Sequence, residues 1–258
     1  MKGRRMKTAR IGNVVVGEGM PKVIVPVVGA TREEIIAKGE ELSALPFDVV
    51  EWRADFYEDA LSLPTLLLTF ADMKKALRGK PVLFTLRTAK EGGMKEIGPE
   101  AYVDMNIAVA DSGLADAVDV ELFTGDDLVR RAVGGIHRAG RTVIASSHDF
   151  RATPDKEEMI RRMRRMQELG ADILKIAVMP QSMTDVLTLL SATEEMFRCY
   201  AERPLVTMSM SPAGVISRLC GEAFGSAMTF GAVGKTSAPG QIPVEQLNTA
   251  LKILHDAG

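Results

Sequence analysis

Eight short apolar runs recur along the chain, with amphipathic stretches between them. They are KVIVPVVG from Lys22, VVEWRAD from Val49, PVLFTLRT from Pro81, AVDVEL from Ala117, RTVIASSHDF from Arg141, DILKIAV from Asp172, PLVTMSM from Pro204 and AMTFGAV from Ala227. Successive runs begin 23 to 36 residues apart. Each interval accommodates one strand, one helix and two loops, which is the content of a βα unit. The gaps carry helix punctuation. Thr31-Arg-Glu-Glu34 spells a capping box, and Thr153-Pro154 predicts proline at a first helical position. Gly170 closes the amphipathic segment EEMIRRMRRMQEL as a left-handed stop.

Eight such units in 258 residues predict an α/β fold, a closed (β/α)8 TIM barrel. An open doubly wound sheet would show fewer strands and a glycine-rich first turn. Residues 8–20 are expected to form an N-terminal β-hairpin ahead of the first barrel strand. No linker, low-complexity segment or repeat beyond the βα period interrupts the chain, so residues 1–258 read as a single barrel domain.

Composition narrows the function. Lys and Arg number 32 against 34 Asp and Glu, for a net charge of −2, and 46% of residues are hydrophobic. That balance argues against disorder, and it lacks the basic surplus that nucleic acid requires. Cys199 and Cys220 are the only cysteines, which excludes a disulfide framework and suits a reducing cytoplasm. No cysteine–histidine pair has metal-ligand spacing, so no metal is expected. The basic start MKGRRMKTARIGN is not followed by the apolar stretch of a secretory signal. No apolar run reaches the roughly 18 residues needed to span a membrane. A cytoplasmic protein acting on a small molecule is the expectation.

In such barrels the chemistry sits at the C-terminal ends of the strands, and alternation selects the inward positions. Glu51 and Arg53 share one face; Thr142, Ile144, Ser146 and His148 share another; Ile173, Lys175 and Ala177 a third. Lys175 interrupts an apolar strand, where burial depresses an amine's pKa and a neutral amine can attack a carbonyl to form an imine. The alternative is a lysine paired to a barrel carboxylate. His148 ends its strand and is suited to proton transfer, or else is a core histidine bonded to a backbone carbonyl. His137 and His255 fall on helices and read as surface residues. Arg53, Arg87 and Arg218 suit capture of a carboxylate or phosphate, or serve as structural ion pairs, with Glu51 to Arg53 or Arg87 the expected example. Met208 and Met210 share a face and either line a pocket or fill the barrel. Gly234-Lys235-Thr236 is a weak phosphate-loop signal, because Thr229 stands where that motif needs its first glycine. The stretch KTSAPGQIP reads instead as a mobile cover.

EWRAD, LRT with Glu91 beyond it, SSHDF, LKIAV, TMSM and a GKTSAPGQ loop occur in this order. Together they resemble the type I 3-dehydroquinate dehydratases, Schiff-base enzymes of the shikimate pathway, from about Lys22 to the C-terminus. The resemblance implies that Lys175 forms an imine with the C3 ketone of 3-dehydroquinate. It implies that His148 is the general acid/base, with Glu91 orienting it. Glu51, Arg53 and Arg87 would hold substrate hydroxyls and the floor of the site, and Arg218 would clamp the carboxylate. Ser237 and Gln241 would reach in from the closing loop, while Met208, Met210 and Phe230 pack around the ring. No metal or organic cofactor is implied, and the expected assembly is a homodimer. Pro26, at the end of the first strand, stands where family members often carry serine, a change that bears on binding more than on chemistry. Two other readings stand beside this one. A class I aldolase also uses a barrel lysine, but Arg218, Ser237 and Gln241 suit a carboxylated ring better than a sugar phosphate. A barrel retained as a binding module would be expected to lack Lys175 or His148.

Overall fold

A computed structural model of the protein describes residues 6–234 and 239–257. A hairpin comes first, β1 (Ala9–Ile11) against β2 (Val14–Val16), antiparallel through Ala9–Val16 and Ile11–Val14. Eight parallel strands follow: β3 (Lys22–Val27), β4 (Val49–Arg53), β5 (Val82–Thr85), β6 (Ala117–Glu121), β7 (Thr142–Asp149), β8 (Ile173–Val178), β9 (Leu205–Ser209) and β10 (Met228–Ala232). Each neighbours the next in sequence, and β10 returns to pair with β3 through Phe230–Ile24. Between β9 and β10 the ring closes through the bridge Leu205–Ser226, where the Ala227 N–H donates to the Leu205 carbonyl at 2.7 Å. A two-residue strand, β11 (Ile242–Pro243), adds to the end of β10. The architecture is the (β/α)8 barrel.

The helices between strands are α1 (Arg32–Leu42), α2 (Leu63–Ala76), α3 (Pro99–Asp111), α4 (Asp126–Arg138), α5 (Lys156–Glu168) and α6 (Met183–Glu195). The short α7 (Val215–Leu219) and α8 (Gly221–Phe224) precede β10, and α9 (Val244–Ala257) ends the chain. Thr31 caps α1 with the reciprocal capping box, its side chain accepting from the Glu34 N–H and Glu34 reaching back. Gly170 has φ +94°, the left-handed turn that stops α5. One helix start differs from the expectation. Asp155 is the N-cap of α5, so Pro154 lies outside the helix rather than at its first position. The Thr153 hydroxyl is committed to the Met179 carbonyl instead, at 3.1 Å.

Strand alternation sorts the barrel into two apolar sets. Val25, Val50, Trp52, Phe84, Val118, Val120, Leu174 and Ile176 face outward beneath the helices, with Trp52 packed edge-on to Phe70 at 4.9 Å between centroids. Ile24, Val49, Leu83, Ala117, Ile144, Ile173, Val206 and Met228 face inward and fill the N-terminal half of the lumen. The hairpin adds Ala9, Ile11 and Val16 to that inner set and so plugs the bottom of the barrel. Higher in the lumen the same parity turns polar: Glu51, Thr85, Asp119, Ser146 and Lys175 are all buried and all follow an inward apolar residue by two positions.

Ile11 is fully buried in this plug. We expect Ile11→Ala to cost about 2–4 kcal/mol, the range for a large-to-small core change, in urea unfolding monitored by circular dichroism. Activity at 25 °C should be retained, because the plug lies at the opposite end of the lumen from the site.

Candidate active site

The C-terminal mouth of the barrel holds a cavity lined by Glu51, Arg53, Arg87, His148, Phe150, Lys175, Ala177, Met208, Met210, Arg218, Phe230 and Gln241. Of the residues singled out in the sequence, Glu91 stands just behind this lining and Ser237 lies outside the described residues. Residues 235–238 of the predicted cover are likewise outside them, while residues 239–243 are described.

Lys175 is inward on β8 and 4% exposed. Its Nζ donates to Glu51 Oε1 at 3.2 Å and to Asp119 Oδ2 at 3.4 Å, and stands 4.7 Å from the centre of the Phe230 ring. Of the two readings offered by the sequence, the pairing to barrel carboxylates is the one the structure shows. Glu51 does not pair with an arginine, as the shared strand face had suggested. It sits one inward position deeper than Arg53, level with the lysine, and also accepts from the Thr85 hydroxyl at 3.0 Å. Arg53 turns instead to Asp55, donating from Nε and Nη2 at 2.8 and 2.9 Å, and lies over the Phe56 ring.

Arg87 is fully engaged. It pairs with Asp119 Oδ1 and Glu121 Oε1, each at 2.9 Å, and donates to Ser146 Oγ at 3.1 Å. Burial opposes its charge, yet Asp119, Glu121 and Glu91 hold its pKa well above the ordinary arginine value. Asp119 and Glu121 were not singled out from the sequence. The signal was present in AVDVEL: with Ala117 inward, Asp119 and Glu121 must also point inward, the same parity that identified Glu51 and Arg53.

His148 Nδ1 lies 2.9 Å from Glu91 Oε2, and the same oxygen accepts the His148 backbone N–H at 3.0 Å. Glu91 is delivered by a tight turn, Ala89–Glu91, whose shape depends on two glycines. Gly92 has φ +80°, and a Cβ on Gly93 would fall 2.0 Å from the Arg87 carbonyl oxygen. Glu121 pins the turn from below by accepting from the Thr88 N–H at 2.8 Å and its hydroxyl at 2.6 Å. Burial, reinforced by Glu121 and Asp119 and opposed by Arg87, raises Glu91 to about 8. Burial, with Arg87, Lys175 and Arg53 nearby, holds His148 well below the usual imidazole value. The same burial thus drives the Glu91 carboxyl and the His148 imidazole toward their neutral forms.

Arg218 is a different kind of arginine. It is 1% exposed, and its hydrogen bonds run to the Pro239 carbonyl at 3.1 Å and to Met208 Sδ at 3.6 Å. Among the described residues it has no carboxylate partner, and its Nε is buried without an acceptor. Burial alone lowers it to about 10. A desolvated cation facing a cavity without its counter-ion is a receptor for an anion. Met208, Met210 and Phe230 supply the apolar wall beside it, and Pro26 is buried in β3 opposite Glu51. Among the described residues no group of three or more His, Cys, Asp or Glu is placed to hold a metal ion.

This geometry defines a barrel enzyme site in which a buried amine, a histidine–carboxyl pair and an arginine without a carboxylate partner among the described residues meet at one cavity. Comparison with known proteins agrees with it. The model of the type I 3-dehydroquinase family matches residues 23–257. The 3-dehydroquinate dehydratase of Salmonella typhimurium is 52% identical over 252 residues, 98% of this chain and 100% of that protein. The type I 3-dehydroquinate dehydratase from Clostridium difficile, solved with covalently modified comenic acid, superposes with a TM-score of 0.95 at 46% identity over 98% of this chain and 100% of that one. The enzyme from Geobacillus kaustophilus gives 0.93 at 36% identity, over 98% of each chain. This chain belongs to the type I 3-dehydroquinase family.

The raised Glu91 has a consequence for stability. The folded carboxyl keeps its proton up to about pH 8, whereas the unfolded one releases it near the ordinary carboxyl value of 4.5. Its contribution is thus present at low pH and is lost as pH rises toward 8. His148 acts oppositely but only below the ordinary imidazole value of 6.5. Between pH 6.5 and 8.5, therefore, the Tm of the wild type should fall more steeply than that of Glu91→Gln in thermal denaturation. Parallel curves would show that Glu91 is ionised in the folded state.

Proposed function

We propose that this chain dehydrates 3-dehydroquinate to 3-dehydroshikimate through an imine on Lys175, as a single-domain hydro-lyase of the shikimate pathway. The observation that carries the reading is the common cavity in which the Lys175 amine, the His148–Glu91 pair and the unpaired Arg218 meet. The substrate is a β-hydroxy ketone, and loss of water from it requires a proton to leave the carbon beside the carbonyl. As a ketone that proton is weakly acidic; as a protonated imine it is far more so.

The steps follow from the residues in place. Lys175 gives up a proton to a neighbouring carboxylate, and its lone pair attacks the C3 carbonyl carbon. Loss of water from the adduct leaves a C=N bond to Lys175 carrying one hydrogen and a positive charge. His148 takes a proton from C2, and the C–H pair becomes the C2=C3 bond of an enamine. Return of the nitrogen lone pair expels the C1 hydroxyl, which receives the proton held by His148 and departs as water. Hydrolysis of the conjugated imine releases product and restores the amine. The balance is one substrate to one product and one water. Arg218 holds the C1 carboxylate, so the binding energy of that group fixes C1 and C2 against the imidazole. Glu51 and Arg53 face the ring hydroxyls, Arg87 keeps the carboxylates beneath them in place, and Met208, Met210 and Phe230 enclose the carbon frame. Gln241 lines the mouth and, like Ser237, is proposed to contact the substrate.

The proposal extends to the setting. Cys199 and Cys220 are free thiols, as a reducing cytoplasm allows. No helix among the described residues is long and apolar enough to cross a membrane. The exposed Met183 and Leu187, one turn apart on α6, offer apolar surface for a homodimer.

Two sets of variants test the chemistry. Lys175→Met should abolish formation of the conjugated enone, followed by its ultraviolet absorbance, and should yield no adduct with borohydride. His148→Ala should lower turnover by roughly 10²- to 10⁴-fold while imine accumulates and is trapped. Peptide mass mapping should place the trapped adduct on Lys175; a different lysine, or near-normal turnover in His148→Ala, would overturn the assignment. Arg218→Leu removes charge-assisted hydrogen bonds worth about 1.5–3 kcal/mol each, so KM should rise at least about tenfold.

A further inference from the structure

Two carboxylates hold Lys175 Nζ, and they are not equivalent. Glu51 lies on the cavity wall, where substrate hydroxyls compete for it. Asp119 does not line the cavity: it is 1% exposed and sits below the nitrogen, on the floor of the polar layer. Its Oδ1 is saturated by Arg87 Nη2 at 2.9 Å and the Ser146 hydroxyl at 2.6 Å, leaving Oδ2 directed at Nζ. Because Asp119 is not among the lining residues, a substrate filling the cavity would leave it beside the nitrogen.

We propose that Asp119 is the counter-ion of the imine, accepting its single N–H and keeping the nitrogen protonated until the enamine forms; this rests on the imine reading above. The role is specific to the electron sink. A neutral imine withdraws electrons poorly, so loss of its proton in a closed, water-poor site would stall removal of the C2 proton. Asp119 is kept ionised for the task. Burial opposes its charge, but Arg87, Lys175 and the Ser146 hydroxyl together hold its pKa below the ordinary carboxylate value. The other titratable groups lining the cavity with Lys175 are Glu51 and Arg53 from β4, Arg87 beyond β5, His148 on β7 and Arg218 on α7. Four of these five are basic groups, so without Asp119 the site would favour the neutral imine.

The test separates protonated from neutral imine. Cyanoborohydride reduces the protonated iminium selectively, whereas borohydride captures both forms. In wild type with 3-dehydroquinate at pH 8, the two reagents should label Lys175 to similar extents by mass spectrometry. In Asp119→Asn, borohydride labelling should persist while cyanoborohydride labelling falls at least about tenfold. That follows because a charge within a few ångströms shifts its partner's pKa by about one to three units. Lowering the pH should restore it. Glu121→Gln removes the other carboxylate on Arg87 without touching Lys175, and its labelling ratio should match wild type even if turnover drops. Ser146→Ala strips a hydrogen bond from Asp119 while retaining its charge, so cyanoborohydride labelling should persist to higher pH than in wild type; this variant serves if Asp119→Asn does not fold. An unchanged ratio in Asp119→Asn, an equal fall in Glu121→Gln, or a shift to lower pH in Ser146→Ala would overturn the assignment. Absence of any adduct in wild type would instead overturn the imine reading.

Discussion

The site depends on charges buried where water cannot solvate them. An ion taken out of water is tolerated in a protein only when it is paired and its hydrogen bonds are met. In this barrel Lys175 is matched by Glu51 and Asp119, and Arg87 by Asp119 and Glu121. Asp119 is common to both cations and so joins them into one network. Removing a single partner would strand a charge in the lumen, at a cost of about 3–5 kcal/mol for pairs of this kind. The same pairing that keeps the barrel folded also fixes where the lysine nitrogen stands.

The network reaches the base by the same means. Glu121 binds Arg87 on one side and the Thr88 turn on the other, and that turn delivers Glu91 to His148. Base and amine are thus set against each other through Arg87 and the carboxylates around it, without a flexible link between them. Arg218 is the contrast. Its side chain is as deeply buried as Arg87, yet its partners are a carbonyl and a thioether. The protein tolerates one incompletely matched cation at the mouth and none in the floor beneath, a division expected where the missing anion is the ligand. The lower half of the lumen is filled by buried apolar side chains and closed by Ile11 and its neighbours beneath the polar layer.

Much of this was legible in the chain itself. Eight apolar runs at βα spacing specified the barrel, because a strand and its crossover helix need a nearly constant length. Two-residue periodicity pointed Glu51, Lys175 and His148 inward, since neighbouring side chains on a strand must face opposite sides. The capping box at Thr31 and the stop at Gly170 were readable because they are local: each is settled by a few consecutive residues. The cluster of arginine, lysine and histidine at strand ends further identified the chemistry, and the order of motifs identified the family.

What lay beyond the sequence was pairing. Glu51 could have met Arg53, its neighbour on the same face, but meets Lys175, 124 residues away, because the closed barrel sets them at one level. Asp119 and Glu121 showed the right parity, yet nothing in AVDVEL reveals that one holds the lysine and the other the turn bearing Glu91. Arg87 and Arg218 look alike as sequence, and only tertiary structure makes one a fully paired ion and the other a partly unmatched cation. Periodicity tells which way a side chain points. Which charges then come within a few ångströms, and which is left without a partner, depends on the stagger and closure of strands far apart in the chain.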